Sequence, residues 1–212
     1  ARILIDNDAA ITAQVGGIYA NAAGGVAEVV NRGALSVGTA IGATAGGIVA
    51  LGGRVAMVNH GDITLSSAGS ALMGISKSSD SDARITNHVA SAGFSGYDDR
   101  SGFVHVTNNG DITGGRGVGI DAFGELAVVL TNNRLIETGG VSAIMMRSSD
   151  SGLGSLLNNV SGQLFNNNAY VATVRAWNED DIVTNLGVII NRSTSAGAKA
   201  VDLSGGYDVM EL

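Results

Sequence analysis

The chain contains no cysteine and no proline, and aromatic residues make up only 4% of its 212 positions. Without cysteine it can form neither disulfides nor thiolate metal sites. That absence suits an exported protein, where an unpaired thiol is a liability, and suits a cytosolic one equally well. The scarcity of large rings argues against a compact globule packed around aromatic side chains. Basic residues are also few, twelve against nineteen acidic for a net charge of −7, and they are scattered singly. A phosphate-tracking surface therefore has no source, which argues against nucleic acid as a partner. Long apolar runs are missing with one exception, since Gly33 to Gly53 carries no charge over 21 residues. That length would cross a bilayer, but its seven glycines fall in step with the repeat described next, so no membrane span is assigned.

What the chain has in quantity is glycine, 32 residues, together with 45% hydrophobic and only 15% charged residues. That balance buries a chain rather than leaving it disordered, and the glycines supply many tight turns between short strands. A pattern of apolar residues, then Asn, then usually Gly and an apolar or β-branched residue recurs along the whole length. It reads Val29-Val30-Asn31-Arg32-Gly33-Ala34-Leu35, Met57-Val58-Asn59-His60-Gly61-Asp62-Ile63, Val106-Thr107-Asn108-Asn109-Gly110-Asp111-Ile112 and Val183-Thr184-Asn185-Leu186-Gly187-Val188-Ile189. Weaker copies sit at Asn7, Asn87, Asn132 and Asn158. The eight asparagines are 24, 28, 28, 21, 24, 26 and 27 residues apart, a period of about 25 that belongs to stacked solenoid repeats.

Each copy carries a second apolar patch about halfway along, as in Gly17-Ile18-Tyr19-Ala20, Gly47-Ile48-Val49-Ala50, Gly119-Ile120-Asp121-Ala122 and Ser142-Ala143-Ile144-Met145. One repeat then reads as three short strands, with period-two alternation, glycine-rich corners and no sustained 3.6-residue period. Strands this short cannot bury an apolar face alone, but stacked copies can pair each strand with its counterpart in the next coil. The expected fold is all-β, a right-handed parallel β-helix (β-solenoid) of about eight three-stranded coils of roughly 25 residues, forming a single segment over 1–212. Its handedness is taken by analogy with related solenoids. At about 4.8 Å per coil the segment would be roughly 40 Å long.

The recurring Asn fits a corner, where its amide can donate to one backbone carbonyl and accept from a neighbouring amide. Asn7, Asn31, Asn59, Asn87, Asn108, Asn132, Asn158 and Asn185 are therefore expected to form a structural ladder, each rung contributing about 1 kcal/mol.

The alternation of aliphatic-Val-Thr/Val-Asn-x-Gly-Asp-Ile with Gly-Ile-x-Ala resembles the passenger segments of bacterial autotransporter adhesins and related β-helical surface proteins, over nearly the full chain. The resemblance implies a secreted or bacterial cell-surface location and an extracellular structural or adhesive role, as a rigid stalk or binding surface without catalysis or cofactor. The implied partner is a host-cell or surface glycan or protein. Scaffolds of this kind carry many activities, so two other readings stand beside it. Polysaccharide-cleaving enzymes also use parallel β-helices, with clustered carboxylates in adjacent coils. Here Asp62 and Asp111 hold equivalent repeat positions, but the Asn87 coil lies between them. The chain also begins within the pattern, at Arg2-Ile3-Leu4-Ile5-Asp6-Asn7, and ends just after another apolar patch. It is accordingly expected to be either a piece of a longer passenger or a subunit whose open ends stack with copies of itself into a filament.

Function on a solenoid tends to sit in enlarged corners. Three occur in the same phase of the repeat, Lys77 to Asp82, Arg147 to Gly152 and Ala176 to Asp181. They read either as a shared polar, acidic contact surface or as solvated corners that keep the rod soluble. The candidate contact residues are Trp177, Glu179, Asp180 and Asp181 in one of these corners, and Tyr97, Asp98, Asp99 and Arg100, which read either as a sugar-contacting set or as a turn. Trp177 is the only tryptophan. If exposed it would offer a large ring to a sugar or partner; otherwise it plugs the space under its own loop. His60 and His88 each follow a ladder Asn and should stack about 5 Å apart, but a third ligand is lacking and His105 belongs to another position, so no metal or catalytic cluster is assigned. Within Leu203 to Met210, Gly206 and Asp208 fit half of a glycine- and aspartate-rich calcium-binding repeat, which makes calcium near Asp208 the one cofactor suggested.

Overall fold

The computed structural model is an all-β parallel solenoid. It describes residues 1–14, 16–37, 45–65, 69–76, 81–88, 94–98, 102–113, 118–139, 142–148, 152–177 and 180–212, without the side chains of 45–46, 65, 69–70, 75–76, 81 and 94–98.

Each coil runs along a first face that ends at a ladder asparagine, then a short second face, then a third face. The first face is a nine-stranded sheet of Arg2–Asn7, Val26–Asn31, Arg54–Asn59, Ser81–Asn87, Gly102–Asn108, Ala127–Asn132, Leu153–Asn158, Asp180–Asn185 and Val209–Glu211. The third face is an eight-stranded sheet of Gly16–Asn21, Ala45–Gly52, Gly69–Ser76, Phe94–Asp98, Ile120–Gly124, Ile144–Ser148, Val174–Arg175 and Val201–Asp202. The second face is split into a three-stranded sheet (Ile11–Ala13, Leu35–Val37, Ile63–Leu65) and a four-stranded one (Ile112–Thr113, Leu135–Thr138, Gln163–Asn166, Val188–Asn191). The split falls at the Asn87 coil, whose residues 89–93 lie outside the described ones. Seven coils show all three strands among the described residues, and the Asn87 coil shows its first and third. The uncharged stretch Gly33 to Gly53 contributes the strands Leu35–Val37 and Ala45–Gly52, and among the described residues no helix is long and apolar enough to cross a membrane.

The alternating pattern makes this packing possible, because successive strand residues point to opposite sides of a sheet. On the first face the inward residues form columns running the length of the stack. One contains Val29, Met57, Ile85, Val106, Leu130, Leu156 and Val183; opposite it on the third face stand Ile18, Ile48, Leu72, Ile120, Ile144 and Val174. All are buried. Alanines 20, 50 and 122 occupy the third face beside them, in a column that the buried Met146 continues.

All eight ladder asparagines share one register position. Each Nδ2 donates to the Oδ1 of the next coil, at 2.8 Å for Asn7 to Asn31, 2.8 Å for Asn31 to Asn59, 2.9 Å for Asn59 to Asn87 and 3.2 Å for Asn87 to Asn108. The remaining steps, through Asn132 and Asn158 to Asn185, are 2.9, 2.9 and 2.8 Å. The second Nδ2 proton turns back to the chain, as in Asn31 to the Gly33 carbonyl at 2.8 Å and Asn132 to the Arg134 carbonyl at 2.7 Å. This close wrapping accounts for the Asn-x-Gly spelling. A Cβ at Gly33 would run into the Ala9 carbonyl oxygen, and one at Gly61 into the Gly33 carbonyl oxygen.

Candidate binding face

The third face carries outward residues in two columns over three consecutive coils. Strand pairing puts Asp121, Met145 and Arg175 in one column, with Phe123 beside Arg147 in the other. Trp177 lies two residues past Arg175, on the same outward side, and is 38% exposed. Spacing is about 4.8 Å along each column and roughly 7 Å between columns. The result is a flat array of six side chains whose flanking inward residues, Ile120, Ala122, Ile144, Met146, Val174 and Ala176, are all core.

Charge and rings are interleaved within the array. Arg147 grips Asp121 with both arms of its fork, Nη2 standing 2.7 and 2.8 Å from the two carboxylate oxygens and Nε 3.1 Å from Oδ1. A bidentate pair of this kind fixes orientation as well as charge. The Arg147 guanidinium carbon lies 5.9 Å from the centroid of Phe123 and 5.9 Å from that of Trp177. Arg175 is closer to the indole, at 4.9 Å. These are cation–π distances, so Trp177 is neither a bare platform nor a plug: it is a partly exposed ring that holds two guanidinium groups. Arg175 makes no hydrogen bond or ion pair among the described residues. Its register neighbour Asp202 is bound instead to Lys199, at 3.0 Å.

The other residues singled out from sequence are distributed as follows. Tyr97 takes the register position beside Phe123, one coil earlier, and Asp98 ends the same strand. The side chains of both, and Asp99, Arg100 and Glu179 altogether, lie outside the described residues. The Asp180 carboxylate is exposed and accepts from the Tyr207 amide at 2.8 Å. Asp181 differs from the expectation of an outward contact. The strand begins at Asp180, so alternation turns Asp181 inward, where it is 2% exposed. It follows Ala27, Val55, Ala83, Val104 and Val128 in an inward column, and glycine at position 154 makes room for its carboxylate: a Cβ there would meet Asp181 Oδ1.

The enlarged corners are also shorter than their sequence suggested. Arg147 and Ser148 end the strand Ile144–Ser148, and Ser81 and Asp82 open the strand Ser81–Asn87. Of these corners, residues 77–80, 149–151 and 178–179 lie outside the described ones.

His60 and His88 stack with centroids 4.5 Å apart and planes 9° apart. They belong to a second, outer column that follows the ladder Asn. His88 Nδ1 is 3.4 Å from Asn109 Nδ2, then Asn133 donates to Asn109 at 2.6 Å and Asn159 to Asn133 at 2.8 Å. Desolvation, and after it the neighbouring His60, lowers the pKa of His88. His105 stands on the outer wall of the first face, 6.4 Å from Phe103. Asp208 Oδ1 accepts from the Asp181 amide at 3.1 Å, and among the described residues no group of three or more His, Cys, Asp or Glu is placed to hold a metal ion.

Sequence reading missed Asp121, Phe123, Arg147 and Arg175 as a unit. The signal was present in the variable position of the Gly-Ile-x-Ala patch: aligned coil by coil, it reads Asp121, Met145, Arg175 down one column. The chain matches no protein-family model, no curated protein and no solved structure.

Proposed function

We propose that this chain is a rigid, non-catalytic β-solenoid segment of an extracellular bacterial surface protein, of the autotransporter-passenger kind, that acts as a stalk presenting a binding face. The observation that carries this reading is the unbroken amide ladder, seven hydrogen bonds from Asn7 to Asn185 through the buried corner. A continuous tie along the axis serves stiffness over length, which a spacer needs. The outward carboxylates support the same reading. Asp6 is paired with Arg32, Glu28 with Arg2, Asp111 with Arg134, Asp121 with Arg147 and Glu137 with Arg192, each across coils. Charges used as coil-to-coil ties fit a solvated wall better than an acid and a base facing one scissile bond.

Beads displaying the full chain should adhere to host-cell or glycan-coated surfaces, and the purified chain should release no reducing ends from neutral or acidic polysaccharides. Reducing ends above a heat-denatured control would overturn the non-catalytic reading. Failure to adhere to any such surface would overturn the adhesive one.

A further inference from the structure

We propose that Arg175, stacked on Trp177, anchors a site for the carboxylate of an acidic glycan laid on the third face. The inference deepens the adhesive reading above and rests on it. Within the array, Arg147 is committed to Asp121 by its bidentate pair, whereas Arg175 has its donors free among the described residues. The indole holds its guanidinium plane in place, so little freedom is lost when the fork engages a carboxylate. Arg147, Arg175 and Lys199 against Asp121 and Asp202 leave this patch with one positive charge in excess on a chain whose net charge is −7, which favours an anionic group here over the rest of the surface. Met145 lies beside Arg175 in the coil before and Asp202 in the coil after, and the partly exposed ring of Trp177 is the next outward residue along the chain. Apolar side chains on two adjacent sides of a charged fork match a pyranose ring, which has carbon-bound hydrogens on its faces and a carboxylate at its rim. An extended peptide is less well served. The strand Ile120–Gly124 is paired on both edges, and Ile144–Ser148 is paired along one edge and at Ile144 and Met145 on the other, so little backbone is open for strand addition among the described residues.

Trp177 is the chain's one tryptophan, so its fluorescence reports this site without labelling. The full chain would be titrated with oligogalacturonate and with sialyllactose, each against its methyl ester, and with a glutamate-rich peptide. A saturable change in emission with at least one acidic sugar, absent with its ester, is expected. Arg175→Gln should weaken that binding about tenfold or more, with Arg175→Lys in between because it keeps the charge but not the fork. Circular dichroism would show that the variants keep the strand signal. No response to either acidic sugar, equal response to the esters, or full binding by Arg175→Gln would each overturn the proposal. Equal binding of the peptide would reassign the site to protein carboxylates. None of these failures touches the adhesion and reducing-end results, which test the broader reading separately.

Discussion

An asparagine on the inner side of a corner brings two donors and an acceptor into a place without water. Asn59 meets this by accepting from Asn31 at 2.8 Å and donating to Asn87 at 2.9 Å. Asn59→Ala would leave a donor of one neighbour and an acceptor of the other facing a void, a loss of about 3 kcal/mol that should lower Tm by roughly 5 to 10 °C. Asn109 makes the same type of side-chain bond in the outer column, accepting from Asn133 at 2.6 Å, but water can replace it there. Asn109→Ala should therefore cost under about 1 kcal/mol, and equal thermal melts for the two variants would refute the distinction between the columns. The same outer column gives a pH dependence. His88 is held below its ordinary value near 6.5 by desolvation and by His60, so the unfolded chain takes up its proton first. The contribution is present above about pH 6.5 and is lost as the pH falls through that value toward the lower folded one. Thermal stability should drop between pH 7.5 and 5. His88→Asn, which continues the outer run of asparagines toward Asn109, should flatten that drop, and an undiminished slope in the variant would place its source elsewhere.

At the scale of the strand and its corner, the Asn-x-Gly spelling is a clearance requirement. A side chain at Gly61 would collide with the carbonyl oxygen of Gly33 in the coil before, and the nearest atoms it would meet are all backbone, which leaves little room to yield. Gly61→Ala should cost about 2 kcal/mol, as overpacking does, measurable as a lowered midpoint in urea; a neutral result would mean that the coils can spread locally. The same constraint decides which parts of the fold were legible in the sequence. The ladder strands announced themselves because a buried polar residue admits few substitutes, so Asn recurs at one position in eight coils. The second face was harder to read. Its inward column passes from Val37 through Thr138 to Asn166 and Asn191, the last two donating to backbone carbonyls at 3.0 and 2.8 Å. A column that changes chemistry along its length leaves no periodic signal. The candidate site was only half legible for a related reason. Trp177 stood out as a rare residue, whereas Arg147 and Asp181 were assigned to a corner, and only the strand limits Ile144–Ser148 and Asp180–Asn185 settle which points out and which points in. A one-residue difference in phase moves a side chain from one side of the wall to the other.

For the whole molecule, each coil contacts chiefly the coils before and after it, so stability should be close to a sum of coil and neighbour contributions. This can be tested by removing one coil in phase. Deleting residues 109–132 joins Asn108 to Asn133 and would bring the strand Gly102–Asn108 against Leu153–Asn158. The new inward neighbours would be Val104 with Gly154, Val106 with Leu156 and Asn108 with Asn158, all combinations that these columns accept, and the amide ladder would close across the junction. Deleting only residues 109–120 would remove half a coil and throw every later strand out of register. The first deletion should give a folded, cooperatively melting protein with full strand content by circular dichroism; the second should not fold. The shortened rod would also lack Asp121 and Phe123, leaving Arg147 without its carboxylate, so it separates the scaffold from the face it carries. If the in-phase deletion fails to fold, coils are not interchangeable units, and stability must depend on features specific to the missing coil, such as the Asp111–Arg134 tie, rather than on stacking alone.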